Sequence, residues 1–223
     1  MTDEEYCFVI DDDDEITEDA IDIALKYLNS FSEDERKKYW CICGRDLDGK
    51  TGKMLGDMFP DNINNLDDNS RRSVARKIKG DRTALQNVKM VKSIPFPVIE
   101  NCKFVPESIV WNQLNDRYKA FYVNDIFLVA NYGDGITLSK RGQSVSRYKS
   151  DFYLYKYLLK GDYLKFSKKS ANYWKFIYKL RLSYKRIKKD VNVNLYEGLD
   201  KTTCFNVFIM AVPCTILEFL RKE

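Results

Sequence analysis

Residues 6 to 17 read YCFVIDDDDEIT, an apolar run that passes directly into four aspartates and a glutamate. Carboxylates spaced this closely repel one another and resist ionising together unless a cation or water screens them. Hard divalent cations such as Mg2+ and Mn2+ bind through one or two carboxylates plus phosphate oxygens and keep water on their remaining positions. Asp11 and Asp13 form an Asp-x-Asp that offers this donor set, and Asp14 can bind directly or steer a coordinated water. The same residues on a solvated loop leading into a helix need no ion. An Asp-x-Asp is a short motif, so spacing alone leaves both readings open.

Other chemistries can be set aside. A haloacid-dehalogenase-type phosphatase needs Thr where this chain has Glu15, and an EF-hand loop needs a central Gly and a closing Glu that are missing here. The chain contains no histidine, so acid–base work falls to carboxylates, Lys, Tyr or Cys. Cys41-x-Cys43 could supply two thiolates to a soft metal, but without CxxC or His the two fit better as residues of a strand.

The elements that must position the acids follow from local pattern. Tyr6–Ile10 is short, apolar and bounded by charge, as a buried strand would be. Thr17 reads as a helix N-cap, with Glu18 and Asp19 as acids of the first turn, and Ile21, Ala24, Leu25 and Leu28 fall at helical spacing up to about Phe31. The aspartates then occupy the loop beyond a strand's carboxyl end, where open α/β sheets bind ligands. Trp40–Gly44 reads as another strand, and Asp48–Lys53 carries turn chemistry that would fold it back as a hairpin. Residues 60–73 are polar and turn-rich, the pattern of a mobile loop. A helix is expected after Pro106, with Glu107 in its first turn and Ile109, Val110 and Leu114 on its buried side. Residues 119–132 form two β-rich runs broken at Asn124-Asp125, closed by Gly133-Asp134-Gly135.

Taken in order, FVIDDDDEITEDAI, PFP, KFVPESIVWNQL, YKAFYVNDIFLVANY and GDGIT resemble the second half of a bacterial family 2 glycosyltransferase, of the kind that builds surface glycans. The resemblance covers about residues 5–140 and rests on the ordered set. It implies an α/β fold, a partial GT-A (Rossmann-like) mixed sheet, with a nucleotide-sugar donor, a glycan or lipid-linked acceptor, and Mg2+ or Mn2+ at the Asp-x-Asp. By resemblance, Asp11 lies near the ribose and base end of the nucleotide, Asp13 ligates the metal bridging the diphosphate, and Asp14 assists. Inversion at the sugar requires a carboxylate base. Relatives often read glycine–glutamate–lysine where this chain has Asn101-Cys102-Lys103, which leaves Glu107 or Glu100 as the candidate. A first-turn carboxylate serving the helix dipole is the competing role for Glu107. Trp111 could line an acceptor pocket or sit in a core, and Arg82, in KGDR, could reach a phosphate or form a surface ion pair.

Only about ten residues precede Asp11, whereas such enzymes place nucleotide-clasping βαβ units of roughly 30 residues each before it. A truncated, split or degenerate form is therefore expected, with the missing N-terminal half supplied in trans as one option. A noncatalytic membrane-associated or interaction protein derived from such an enzyme is the alternative. An uncovered sheet edge would favour self-association.

Charge is polarised along the chain. Residues 1–36 hold 14 Asp/Glu against 2 Lys/Arg, and residues 140–189 hold 16 Lys/Arg against 2 Asp. We expect a partial GT-A domain over 1–146 and a basic aromatic helical tail over 147–223. Twelve aromatics lie between Tyr148 and Tyr184. Such a tail can pack its rings into a small core, lie on an anionic membrane surface, or bind nucleic acid. The first use comes first and the last is not expected, because no RNA-binding signature is present. The last apolar run, Cys204–Leu220, is shorter than the roughly 20 residues needed to span a bilayer. With an acidic opening and six cysteines that show no even framework of close spacings, a cytoplasmic protein is expected; the lipid-linked acceptors that the resemblance implies make a peripheral place at the inner face of the membrane one option.

Overall fold

The computed structural model describes residues 3–98, 105–131, 145–160 and 171–213. It is a mixed α/β structure, and its residues divide into two compact units: 1–95 with 113–137, and 96–112 with 138–223.

The first unit is built on one mixed sheet, comprising β1 (Tyr6–Phe8), β2 (Glu15–Ile16), β3 (Tyr39–Asp48), β4 (Ala84–Asn87) and β5 (Lys119–Ala130) in the order β1-β4-β3-β5-β2. Because β1 and β3 each pair antiparallel with β4, and β3 pairs parallel with β5, the strands β1, β3 and β5 all run the same way. Their carboxyl ends share one edge of the sheet, and the acidic run sits there. Helix α1 (Ala20–Ser30) covers one face, burying Ala20, Ala24 and Leu28 against Ile42, Leu85, Val123 and Phe127, and the single turn α2 (Glu33–Arg36) leads from it to β3.

Several sequence expectations change at this level. The first strand stops at Phe8, and Val9 and Ile10 are exposed. The helix buries Ala24 and Leu28 as expected, but Ala20 joins them in place of Ile21 and Leu25, which face solvent. Thr17 is not its cap. Its amide donates to Phe127 O and its hydroxyl to Ile126 O, both at 3.0 Å, because Glu15–Ile16 have already been drawn into the sheet as β2. The turn at Asp48–Lys53 forms, but only a single bridge from Leu47 to Met54 follows it. The two runs of residues 119–130 are one strand: Cys43 pairs with Tyr122 and Arg45 with Ile126, so Val123–Asp125 bulge opposite Gly44.

The expected mobile loop is pinned. Between residues 59 and 75 lie a 3-10 turn (Ile63–Asn65) and α3 (Asp68–Ala75), capped by the Asp67 carboxylate. Asn64 donates to Tyr122 O at 2.7 Å and accepts from Tyr122 N at 2.9 Å, while Asn124 makes the same two-bond pairing with the Phe59 backbone. Side-chain amides thus complete peptide groups along β5, which a reading of composition does not foresee. Arg45, fully buried, holds a second pair of turns by donating to both Leu55 O and Lys79 O. Gly56 and Gly80 lie there at φ 82 and 94, each so close to the other's turn that a Cβ would strike backbone.

After β4 comes α4 (Val88–Lys92), which ends before Pro95. Helix α5 (Ser108–Arg117) follows Pro106 as expected and buries Ile109, Val110 and Leu114.

In the second unit, α6 (Val145–Lys160), α7 (Ala171–Ile187) and α8 (Lys201–Ile209) enclose a core of Phe152, Leu159, Tyr173, Ile177, Leu180 and Val207. Tyr148, Tyr153, Tyr155, Trp174, Phe176 and Tyr184 pack against it, so most described rings of the basic aromatic segment serve as core. Lys156 is buried, donating to Asn194 O at 2.5 Å and pairing with Glu197 at 3.3 Å. Among the described residues no helix is long and apolar enough to cross a membrane. The Gly133-Asp134-Gly135 turn lies outside the described residues.

Candidate metal centre

Between β1 and β2 the chain turns, with the Asp14 amide donating to Asp11 O at 3.3 Å. This turn gathers the side chains of Asp11, Asp13 and Asp14, one carboxylate oxygen from each lying within 4.8 Å of the others. Asp11 and Asp13 are exposed and Asp14 is half-buried. Asp14 is oriented by the end of β5, whose next residue, Asn131, donates its amide to Oδ1 at 2.9 Å. The edge is tight: Gly49 donates to Ala130 O at 2.9 Å, and a Cβ on it would lie 2.1 Å from Asn131 Oδ1.

Partial burial raises Asp14 above the ordinary carboxylate range, the Asn131 hydrogen bond opposes this, and the charges of Asp13, Asp11 and Asp81 add to the rise. Asp81 also acts on Asp46, a buried carboxyl pushed up to about 6 by desolvation despite hydrogen bonds from Thr83. The negative field therefore extends beyond the quoted run into the loop before β4 and the end of β3. Sequence reasoning missed Asn131, Asp46 and Asp81. The signals were faint: the Asp46-Leu-Asp48 alternation, and an aspartate next to the Arg82 that drew attention.

The remaining predicted residues are placed as follows. Arg82 donates to Ile78 O at 3.1 Å and lies over the Phe59 ring at 5.6 Å, in place of the surface ion pair considered for it. In the second unit Glu107 is exposed and accepts from the Trp111 indole at 3.4 Å, while Trp111 meets Phe96 edge-on at 5.6 Å. This is an i, i+4 pairing at the start of α5. Glu100 lies outside the described residues. Cys41 and Cys43 are buried strand residues, with burial pushing the Cys43 thiol up to about 12, so neither offers a ready thiolate. The first unit also holds a cleft of about 450 Å³ lined by Tyr27, Phe59, Asp61, Asn64, Phe121 and Asp125, where the Tyr27 hydroxyl donates to Asp125 at 2.8 Å.

Comparison of the chain with protein-family models, curated proteins and solved structures gives no match to any of them.

Proposed function

We propose that the acidic turn binds a divalent cation and that the chain is a family 2-like glycosyltransferase, transferring a sugar from a nucleotide-diphosphate donor to a surface-glycan acceptor. The observation that carries this reading is the convergence of Asp11, Asp13 and Asp14 at the shared carboxyl edge of β1, β3 and β5. The ordered resemblance along residues 5–140 supports it.

The donor set suits Mg2+ or Mn2+. Three hard oxygen donors converge, two of their residues are exposed enough to leave positions for water and phosphate oxygen, and a cation would offset the charges of Asp13 and Asp11 that add to the burial-driven rise at Asp14. Bound there, the ion would supply neutralisation of the charge that builds on the leaving diphosphate. In this reading Asp13 and Asp11 hold it, Asp14 is kept in position by the Asn131 amide, and Glu107 or Glu100 accepts the acceptor hydroxyl's proton.

Calorimetry with a panel of nucleotide sugars tests the proposal. Heat that requires Mn2+ in the intact chain and disappears in Asp13→Ala supports it. Absence of metal-dependent heat with every donor favours a noncatalytic protein derived from such an enzyme.

A further inference from the structure

Most described rings of the basic aromatic segment are spent on the second unit's core, but α8 departs from this economy. Phe205, Phe208, Ile209 and Val212 are 63%, 64%, 42% and 65% exposed. They recur at i, i+3, i+4 and i+7, one stripe of a helix that resumes at Ala211–Pro213 after a turn at Met210. The opposite side is anchored: Thr203 and Val207 are buried, and Tyr173 bonds Thr203 at 3.2 Å and Asn206 at 3.0 Å. The Asp200 carboxylate caps the helix through Thr202 N and Thr203 N. The stripe is therefore held rigidly outward, with two phenyl rings facing water.

We propose that this stripe inserts into the surface of an anionic membrane. The charge of the same unit selects that occupant over a second copy of the chain. Residues 140–189 hold 16 Lys/Arg against 2 Asp, and two such surfaces brought face to face would repel. The amino-terminal end of the stripe carries exposed Lys201 on α8 and Lys160, whose side chain lies against Gly198, alongside the exposed carboxylates of Glu197 and Asp200, so the excess of positive charge comes from the rest of the unit. Exposed Lys185 and Arg186 lie in the last turn of α7, and exposed Lys188 and Lys189 follow it. Aromatic and aliphatic side chains that enter the acyl boundary, flanked by cations that meet anionic headgroups, are the elements of interfacial binding. A nucleic acid would use the cations but gives Val212 and Ile209 nothing to enter. The inference stands apart from the acidic site and does not depend on sugar transfer.

Flotation of the full chain with phosphatidylcholine vesicles, with and without phosphatidylglycerol, tests it. The expected result is flotation that requires phosphatidylglycerol, and partitioning weakened on the order of tenfold or more by Phe205→Ser with Phe208→Ser. Circular dichroism should stay unchanged, since the replaced rings are exposed. Val212→Ser gives an independent and smaller loss. Equal flotation of wild type and variants, or none by wild type, overturns the proposal. So does a dimer that the double variant dissociates in the absence of vesicle binding.

Discussion

Asp46 shows how far the acidic field reaches. Its carboxyl is buried at the end of β3, and desolvation lifts it from 3.8 to about 6, with Thr83 opposing and Asp81 reinforcing. A carboxyl raised in the folded state binds its proton more tightly there than when unfolded. Its stabilising contribution is therefore complete below pH 3.8 and is lost as the pH climbs through about 6. Thermal unfolding should show wild type losing stability across that window. Asp46→Asn should flatten the slope, a differential on the order of 2–3 kcal/mol; a variant with an unchanged slope would assign the loss to other groups. Asp14 is also raised, by burial first, with its acidic neighbours adding to the rise against the Asn131 hydrogen bond, so ionising Asp14 opposes folding. Mn2+ should accordingly raise the melting temperature of wild type more than that of Asp14→Asn, as differential scanning fluorimetry would register.

Among the elements, β5 is held by side chains that mimic peptides. Removing Asn64 leaves the N–H and C=O of buried Tyr122 without their partners. Unpaired buried groups cost about 1–3 kcal/mol, so Asn64→Ala should lower the urea midpoint while Asn65→Ala, at an exposed position, leaves it nearly unchanged. Gly80→Ala should be at least as damaging, because a Cβ there would lie 2.0 Å from Leu55 O at a φ of +94; the same denaturation series reads it. These contacts explain what was legible beforehand. The strand at Trp40, the helix after Pro106 and the loop position of the aspartates follow from local patterns of apolar residues and breakers. The pinned loop at 60–73, the loss of Thr17 as a cap and the exposure of Ile21 and Leu25 on α1 depend on tertiary partners, above all β5, which no local window contains. At the site, the clustering of Asp11, Asp13 and Asp14 could be read from spacing. Asn131 and Asp81 could not, because only folding of the sheet brings them to the same edge.

At the scale of the whole molecule, the chain separates an acidic sheet edge from a basic helical unit, and the charge count along the sequence anticipated that polarity. Packing of the tail's rings into a small core was the first use expected of them, and the described rings of the basic segment do turn mostly inward. Among the described residues β1 is an edge strand, and Val9 and Ile10, which follow it, are exposed. An uncovered edge with apolar neighbours favours association, so light scattering should show mass rising with concentration, and Val9→Lys should reduce the rise. The central claim is the cation at the acidic turn, and electron paramagnetic resonance of free Mn2+ tests it most directly. Titrating wild type into Mn2+ with a nucleotide sugar present should deplete the free-ion signal beyond the depletion caused by the nucleotide sugar alone. The same titration with Asp11→Asn, Asp13→Asn should add nothing. A wild-type chain that leaves the signal where the nucleotide sugar set it would contradict the account.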